Sequence, residues 1–336
     1  MANRLFNVLL TTLAVFLSVT LTAPVEAKTI KLNYSIFFPA SHVQCLAGMD
    51  WAKTINEKSG GTVDITVFPG GTLTPAPQTY DSVVKGIADI GMSCFAYTRG
   101  RFPVMEAADL PLGYPDGMTA SRVVNEFYAA THPEELADVK VLYLHAHGPG
   151  LLHTVKPVTT LDEMKGLKIR STGLSAKIVE VLGGVPVAMS QGDTYESLKK
   201  GVVEGTFGPM EVLKGWRQGE VIKSTTECTS IGYTTTMYVV MNLEKWNSLP
   251  PETQKLFEDT SREWIDKHGR AWDEADAAGR EYTLSLGNSI VRLSDEQTAL
   301  WNSKVETVID DYITATNANN LPGREYVDTL RSLLKK

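Results

Sequence analysis

The chain of 336 residues contains 32 Lys and Arg and 39 Asp and Glu, which gives a formal net charge of −7 at pH 7. This mildly acidic balance argues against nucleic acid or an anionic membrane as the main partner. The length exceeds what one small core requires and is typical of two domains of roughly 150 residues each.

The N-terminal segment predicts export. Arg4 supplies a positive charge, residues 5–21 are mostly apolar, and Val25-Glu26-Ala27 presents small residues where a signal peptidase cleaves. We therefore expect residues 1–27 to form a signal peptide, with cleavage near Ala27 and a mature chain in the periplasm. Removal of Arg4 and Glu26 takes away one charge of each sign, so the net charge stays at −7. The alternative is an uncleaved anchor, but the apolar run is short for a bilayer span of about 20 residues.

The three cysteines are too few for a disulfide framework. They are Cys45, Cys94 and Cys228. An odd count in an exported protein allows at most one bridge, and three buried thiols are the other interpretation. The sequence leaves both interpretations open.

The first half of the mature chain alternates strands with helices. Apolar and polar residues alternate from Ile30 to Ile36, which is the period of a strand. A helix is predicted from about Val43 to Lys58, capped by Ser41 and stopped by a Gly-Gly pair. The pattern then predicts strands at 63–67 and 88–93 and a helix at 79–85. The last of these strands delivers Phe95 and Tyr97 to its carboxyl end.

In the second half, which begins near residues 141–147, the clearest signal is an arginine at the end of a strand. Thr160-Leu-Asp-Glu163 has the spacing of a capping box, and Gly166 is placed to end that short helix. The apolar run that follows ends at Arg170 and is broken at Gly173. We therefore expect the Arg170 guanidinium to lie where a buried strand meets a loop.

Two more strand-like runs point to the same place. They cover 185–189 and 205–207, end at Gln191 and Gly208, and are separated by helical patterns. Repeated strand-helix units predict a parallel sheet, and ligands of such sheets bind beyond the carboxyl ends of the strands. Arg170 is suited to a carboxylate there, because its planar fork donates two parallel hydrogen bonds and stays charged.

The last part of the chain is predominantly helical. After Pro250-Pro251, apolar residues including Trp264 and Trp272 are spaced for one buried stripe. A helix from there toward Leu284 would be about 45 Å long, enough to brace two domains. The sequence contains no flexible linker between domains, so we expect the two lobes to be joined by crossing strands or helices, as in a hinge.

Several short motifs follow one another along the mature chain: Val67-Phe-Pro-Gly-Gly-Thr-Leu73, Asp109-Leu-Pro-Leu112, the Gly166–Gly173 segment, Val185-Pro-Val187, Tyr195-Glu-Ser-Leu198, Gly201-Val-Val-Glu-Gly205 and Trp246-Asn-Ser-Leu-Pro250. In their order and spacing they resemble the substrate-binding proteins of tripartite ATP-independent periplasmic (TRAP) transporters, the DctP-like family. The resemblance covers essentially the whole mature chain.

The resemblance implies an α/β, two-lobed periplasmic binding protein fold of the class II type, with a ligand cleft between the lobes and a long helix bracing both. Lobe I would comprise residues 28–147 plus 236–275, and lobe II residues 148–235 plus 276–336. The protein would be a monomer without cofactor or enzymatic activity. It would bind an organic acid and deliver it to the small and large permease subunits of a transporter driven by an ion gradient.

The resemblance also implies that Arg170 makes the paired contact with the ligand carboxylate. Two departures from the family pattern remove polar anchors: Gly148-Pro-Gly-Leu151 stands where many relatives carry a second arginine, and Phe207-Gly208-Pro209-Met210 where many carry asparagine before proline. We therefore expect a monocarboxylate with an apolar or aromatic body. The candidate ligand-binding residues are Phe38, His42, Ser93, Phe95, Tyr97, His147, Arg170, Gln191, Asp193, Phe207, Gly208, Met210 and Tyr233.

Three alternatives to this hypothesis follow from the same residues or from the same fold. His145 and His147 share one face of a strand and His153 could add a third metal ligand, but no Cys or carboxylates complete the set, so we expect no metal. Ser190 and Asp193 could serve an exported enzyme with a histidine base, yet no Gly-x-Ser-x-Gly motif is present. A sensor kinase could replace the permease as the partner of the closed form, and the sequence does not separate these two outputs.

Overall fold

The computed structural model describes residues 29–336, so the predicted signal peptide lies outside the described residues. The described chain forms two β-sheets flanked by helices. The first sheet has the strand order β2-β1-β3-β10-β4. Its strands are β1 (Ile30–Ile36), β2 (Val63–Phe68), β3 (Ile90–Cys94), β4 (Val139–Ala146) and β10 (Thr236–Asn242).

The second sheet has six strands in the order β11-β9-β5-β8-β6-β7. Strand β6 pairs in parallel with both β7 and β8, as the strand-helix pattern around Arg170 predicts. Strand β5 runs antiparallel to β8 and β9. The strands are β5 (Leu151–Thr154), β6 (Lys168–Ser171), β7 (Val185–Ala188), β8 (Gly205–Gly208), β9 (Ser224–Glu227) and β11 (Ser289–Arg292).

Each sheet is the centre of one lobe, which we call lobe I and lobe II in chain order. Strand β10 returns from lobe II and inserts antiparallel between β3 and β4, so it belongs to lobe I. The chain thus crosses between the lobes after β4 and again before β10. The residue bounds predicted for the lobes stay a prediction, although every strand of each sheet falls within them.

The helices cover the faces of the two sheets. The first helix begins at Val43, and its cap is the His42 side chain, which accepts from the Gln44 N–H, so the predicted Ser41 cap is wrong. The predicted Thr160–Glu163 capping box is confirmed. The helices are α1 (Val43–Lys58), α2 (Thr79–Val84), α3 (Gly117–Thr131), α4 (Leu161–Met164), α5 (Ser175–Val181), α6 (Gln191–Lys199), α7 (Val212–Gly215), α8 (Leu243–Asn247), α9 (Pro251–Ser285), α10 (Asp295–Ala318) and α11 (Gly323–Leu334).

Helix α9 has 35 residues and is therefore about 52 Å long. It packs against α1, α3 and β4 of lobe I and against α7 and β11 of lobe II. Its buried stripe includes Phe257, Trp264 and Trp272, as its apolar spacing predicts. The predicted brace between the lobes is thus present. The C-terminal helix α11 packs against α3 of lobe I, although its residues were predicted to belong to lobe II.

The three cysteines are free and buried, which resolves the alternatives that the sequence leaves open. Burial raises the pKa of the Cys45 thiol to about 11 and that of Cys228 to about 12, so both are protonated at neutral pH. Within residues 29–336, no helix combines the length and the apolar character that a membrane crossing requires.

Candidate functional site

A cavity lies between the lobes, at the carboxyl ends of strands from both sheets. It contains about 430 Å³ of space free of protein atoms, which includes space open to solvent. Tyr97 follows β3 of lobe I, while Arg170 and Phe207 lie near the ends of β6 and β8 of lobe II. The two lobes therefore present their ligand-facing loops to one space.

Arg170 is a buried cation in the wall of this cavity, with 5% of its surface exposed. Its Nε and Nη2 atoms donate to the Met189 carbonyl oxygen at 3.2 and 3.1 Å. None of the ion pairs among the described residues includes Arg170. Burial of a charge without a partner is costly. The remaining guanidinium donors are thus suited to an anion in the cavity.

Two further donors lie in the same wall. The Tyr97 hydroxyl accepts from the Gln191 N–H at 3.0 Å, so its own hydrogen is available to another acceptor. Among the described residues, the Gln191 side-chain Nε2 is buried without a partner. Burial raises the pKa of Tyr97, and the nearby Arg170 charge partly offsets that rise. These groups and Arg170 together form a cluster of donors that matches a carboxylate.

Aromatic rings form the other walls. The Phe37 ring lies 4.0 Å from Phe38 and stacks at 6.2 Å with Trp216, between ring centroids. Phe207, which also lines the cavity, lies 5.3 Å from Tyr233. Because Phe37 belongs to lobe I and Trp216 to lobe II, the apolar walls come from both lobes.

The lobes are joined across the cavity by a buried hydrogen bond. His42 Nδ1 accepts from the Gln44 N–H at 3.2 Å, so its Nε2 carries the proton and donates to Glu211 Oε1 at 2.6 Å. His42 lies in lobe I and Glu211 in lobe II, and both are 2% exposed. The Tyr97–Gln191 contact is a second link of the same kind. These contacts define the structure as the closed arrangement of the two lobes.

Residues 34–315 match the family model described as bacterial extracellular solute-binding protein, family 7, or DctP. A TRAP periplasmic solute-binding protein from Desulfovibrio salexigens is 32% identical, and its structure superimposes with a TM-score of 0.80 over 91% of this chain and 95% of that chain. The chain belongs to the TRAP solute-binding proteins of this family. Such proteins bind solutes outside the cytoplasm and serve their transport.

Other relatives of this solute-binding protein take different acids. A TRAP solute-binding protein from Rhodoferax ferrireducens, solved with copurified benzoate, is 28% identical over 91% of this chain and 98% of that chain, with a TM-score of 0.86. The C4-dicarboxylate-binding periplasmic protein DctP of Vibrio cholerae is 24% identical over 279 residues, which is 80% of this chain and 81% of that protein. Family membership alone therefore leaves the ligand of this chain open.

The structure brings most of the predicted site residues of this solute-binding protein to the cavity, but not all of them. Ser93 donates instead to the Ala76 carbonyl oxygen. Phe95 packs in the core of lobe I against Phe102 and Tyr238. The predicted residues that line the cavity are Phe38, Tyr97, His147, Arg170, Gln191, Phe207, Gly208 and Tyr233.

The remaining predicted residues lie outside the cavity wall. Asp193 is exposed and accepts from the Ser190 hydroxyl at 2.5 Å. Met210 borders a different surface depression, next to Asp276. His42 lies behind Phe38, with the two rings stacked at 4.4 Å, and reaches the site through Glu211.

The cavity also contains residues that the sequence does not single out. Trp272 is predicted to belong to the buried stripe of the long helix. It lies both in that stripe and in the cavity wall, because α9 passes behind the cleft. Glu211 lies between β8 and α7, and no sequence motif there marks it as a site residue. The further lining residues are Phe37, Cys94, Thr172, Pro209, Val212, Trp216, Thr235 and Met237.

Each of the histidines considered as metal ligands makes a hydrogen bond within the protein. His145 Nδ1 accepts from the Trp272 Nε1–H at 3.0 Å, and its ring stacks on His268. His153 bonds to the Thr225 hydroxyl and to the Gly208 carbonyl oxygen. Among residues 29–336, no cluster of His, Cys, Asp or Glu is arranged to hold a metal ion.

Burial lowers the pKa of His153 to about 4, so the folded protein keeps this ring neutral while the unfolded chain takes up a proton near pH 6.5. The stability that His153 contributes is therefore complete above pH 6.5 and is lost as the pH falls toward 4. From pH 7 to pH 5 we expect a loss of about 2 kcal/mol from this ring. The His153→Gln variant should lack that part of the decline when urea unfolding is measured at both pH values. Equal declines in both proteins would contradict the neutral buried ring.

Proposed function

We propose that this protein captures a monocarboxylate with an apolar or aromatic body and delivers it to the membrane subunits of a TRAP permease, without chemical change to the ligand. The observation that carries the proposal is Arg170, a buried guanidinium that has no acidic partner among residues 29–336 and lines a cavity walled by aromatic rings. A carboxylate there would neutralise the buried charge and accept hydrogen bonds from the free donor groups of Tyr97 and Gln191.

A single carboxylate fits the charges of the cavity better than two. Of the described residues that line the cavity, Arg170 is the one Lys or Arg, and Glu211 adds a carboxylate of its own. Gly150, in the segment between β4 and β5, has no room for a cationic side chain, because a Cβ atom there would lie 1.8 Å from Tyr233 Cε1. A dicarboxylate would thus bury a second negative charge without a partner, which is costly.

The aromatic walls favour an apolar body on the acid. Burial of about 150–250 Å² of aromatic surface at roughly 25 cal/mol per Å² contributes about 4–6 kcal/mol before ordering costs. The Rhodoferax relative that copurified with benzoate supports the same ligand class.

Closure links capture to delivery. The His42–Glu211 and Tyr97–Gln191 bonds exist only when the lobes are together. A ligand that contacts both walls stabilises this closed state, because its affinity for the closed form exceeds that for the open form. We propose that the permease recognises the closed pair of lobe surfaces.

A thermal-shift panel tests the proposal. The mature protein is heated with benzoate, phenylacetate, an aliphatic monocarboxylate, succinate and galacturonate. A ligand at 100 times its dissociation constant stabilises by about 2.7 kcal/mol, which raises the melting temperature by several degrees. We expect that shift from an aromatic or apolar monocarboxylate. A shift given only by succinate or galacturonate, or by none of the acids, would contradict the proposal.

A further inference from the structure

His147 has a fixed orientation and a fixed tautomer in the cavity wall. It follows β4 at the first crossing between the lobes, and its main-chain carbonyl oxygen accepts from the Thr234 hydroxyl at 2.6 Å. Its ring Nδ1 lies 2.5 Å from the Gly148 carbonyl oxygen. Because a carbonyl oxygen only accepts, Nδ1 must carry the proton and donate.

The second ring nitrogen, Nε2, is therefore a bare acceptor. Burial lowers the pKa of His147 to about 4, so the ring is neutral at pH 7 and Nε2 holds a free lone pair. Within the described part of the chain, no group donates to Nε2. The ring stands edge-on to Tyr233, at 5.7 Å and 90°, and lines the cavity. Arg170 lines the same cavity.

A carboxylate cannot satisfy this nitrogen, because both groups only accept hydrogen bonds. The neighbouring polar groups do not satisfy it either. Glu211 already accepts from His42. Tyr97 and Gln191 belong to the donor cluster around Arg170. The cavity thus offers hydrogen-bond donors to one end of a ligand. At His147 it offers a hydrogen-bond acceptor to another part of the ligand.

We infer that the ligand carries a hydroxyl group that donates to His147 Nε2, which makes His147 the residue that selects hydroxylated acids. The ligand class is then a hydroxylated aromatic or apolar monocarboxylate. This inference rests on the proposed function, since it concerns a second contact of the same acid. An acid without the hydroxyl would cover this cavity-facing acceptor and leave it unpaired, and sites of that kind discriminate strongly against the analogue that lacks the group.

Two matched sets of acids test the inference by isothermal titration calorimetry at pH 7. One set is phenylacetate, mandelate and α-methoxyphenylacetate, and the other is benzoate, 3-hydroxybenzoate and 3-methoxybenzoate. In at least one set, the hydroxylated acid should bind at least tenfold more tightly than its parent. The methyl ether keeps the oxygen but has no hydrogen to donate, so it should lose that gain. These comparisons use the wild-type protein and do not depend on the folding of any variant.

Variants assign the preference to His147. In His147→Phe, the hydroxylated acid and its parent should bind equally, while His147→Gln, whose side-chain oxygen can accept, should keep part of the preference. If the parents bind and no hydroxylated acid is preferred, or if the preference persists in His147→Phe, the inference is wrong and the proposed function stands. If none of the six acids binds the wild-type protein, the inference is wrong and the proposed function is confined to aliphatic monocarboxylates.

Discussion

Replacement of Arg170 by alanine should weaken binding of the tightest acid by roughly 30-fold to several thousand-fold, the equivalent of about 2–5 kcal/mol. The size of this effect follows from the environment of the guanidinium, which is buried and has no acidic partner among the described residues. In the variant, the carboxylate of the ligand would enter the same closed cavity without a compensating charge. Calorimetric titration of both proteins measures the change.

The ligand-free protein provides an internal control. Because the unpaired charge costs free energy when no acid is bound, Arg170→Ala without ligand should melt at or above the wild-type temperature. Arg170→Lys keeps the charge but loses the planar fork, so its affinity for the acid should lie between those of the wild type and Arg170→Ala. Unchanged affinity in Arg170→Ala would contradict the proposed contact between Arg170 and the ligand carboxylate. A lower melting temperature without ligand would indicate a structural role for Arg170.

Glu211→Ala should weaken acid binding by roughly 10-fold to 100-fold, which corresponds to the loss of a hydrogen bond to a charged group. The His42–Glu211 bond links the two lobes, so its loss falls on the closed state. Small-angle X-ray scattering with saturating acid should show a larger fraction of open molecules than in the wild type.

Matched variants separate this closure effect from direct contact with the ligand. Glu211→Gln keeps an oxygen that can accept from His42 Nε2–H and should lose less affinity than Glu211→Ala. His42 does not line the cavity, and His42→Ala should weaken binding at least as much as Glu211→Ala, because it removes the same bond together with the α1 cap and the ring stacked on Phe38. Wild-type affinity and scattering in His42→Ala would mean that the bond does not contribute to closure.

The elements that sequence patterns predict well are those determined by local residues. The periodicity of 43–58 gives the observed bounds of α1, and Thr160 and Glu163 form their capping box three residues apart. The stripe through Trp264 and Trp272 predicts α9 to within a residue or so of its end. The position of Arg170 at the end of a parallel strand follows from the same kind of pattern.

The site itself depends on local geometry that periodicity does not show. Phe95 and Tyr97 are two residues apart and would face the same side of a continuing strand. The chain instead turns into a 3-10 helix at Phe95–Thr98, which places Phe95 in the core and Tyr97 at the cavity wall. An alternation rule therefore predicts one of these two positions and misses the other.

Contacts across the cleft are also beyond the reach of local patterns. His42 and Glu211 are 169 residues apart in the chain. The Nδ1 of His42 caps α1, and its Nε2 bonds to lobe II, so one side chain serves both helix capping and closure. The acceptor role of His147 follows from its contact with the Gly148 carbonyl oxygen, which depends on a backbone turn at the crossing between the lobes.

The most direct measurement is a crystal structure of the protein with the acid that gives the largest thermal shift. We expect a carboxylate oxygen at about 2.7–2.9 Å from an Arg170 guanidinium nitrogen, the distance of a charge-assisted hydrogen bond. The body of the acid should lie among Phe38, Phe207 and Tyr233, with the lobes closed. A carboxylate bound elsewhere in the cavity, with the Arg170 guanidinium contacting only Met189, would contradict the proposed capture mechanism.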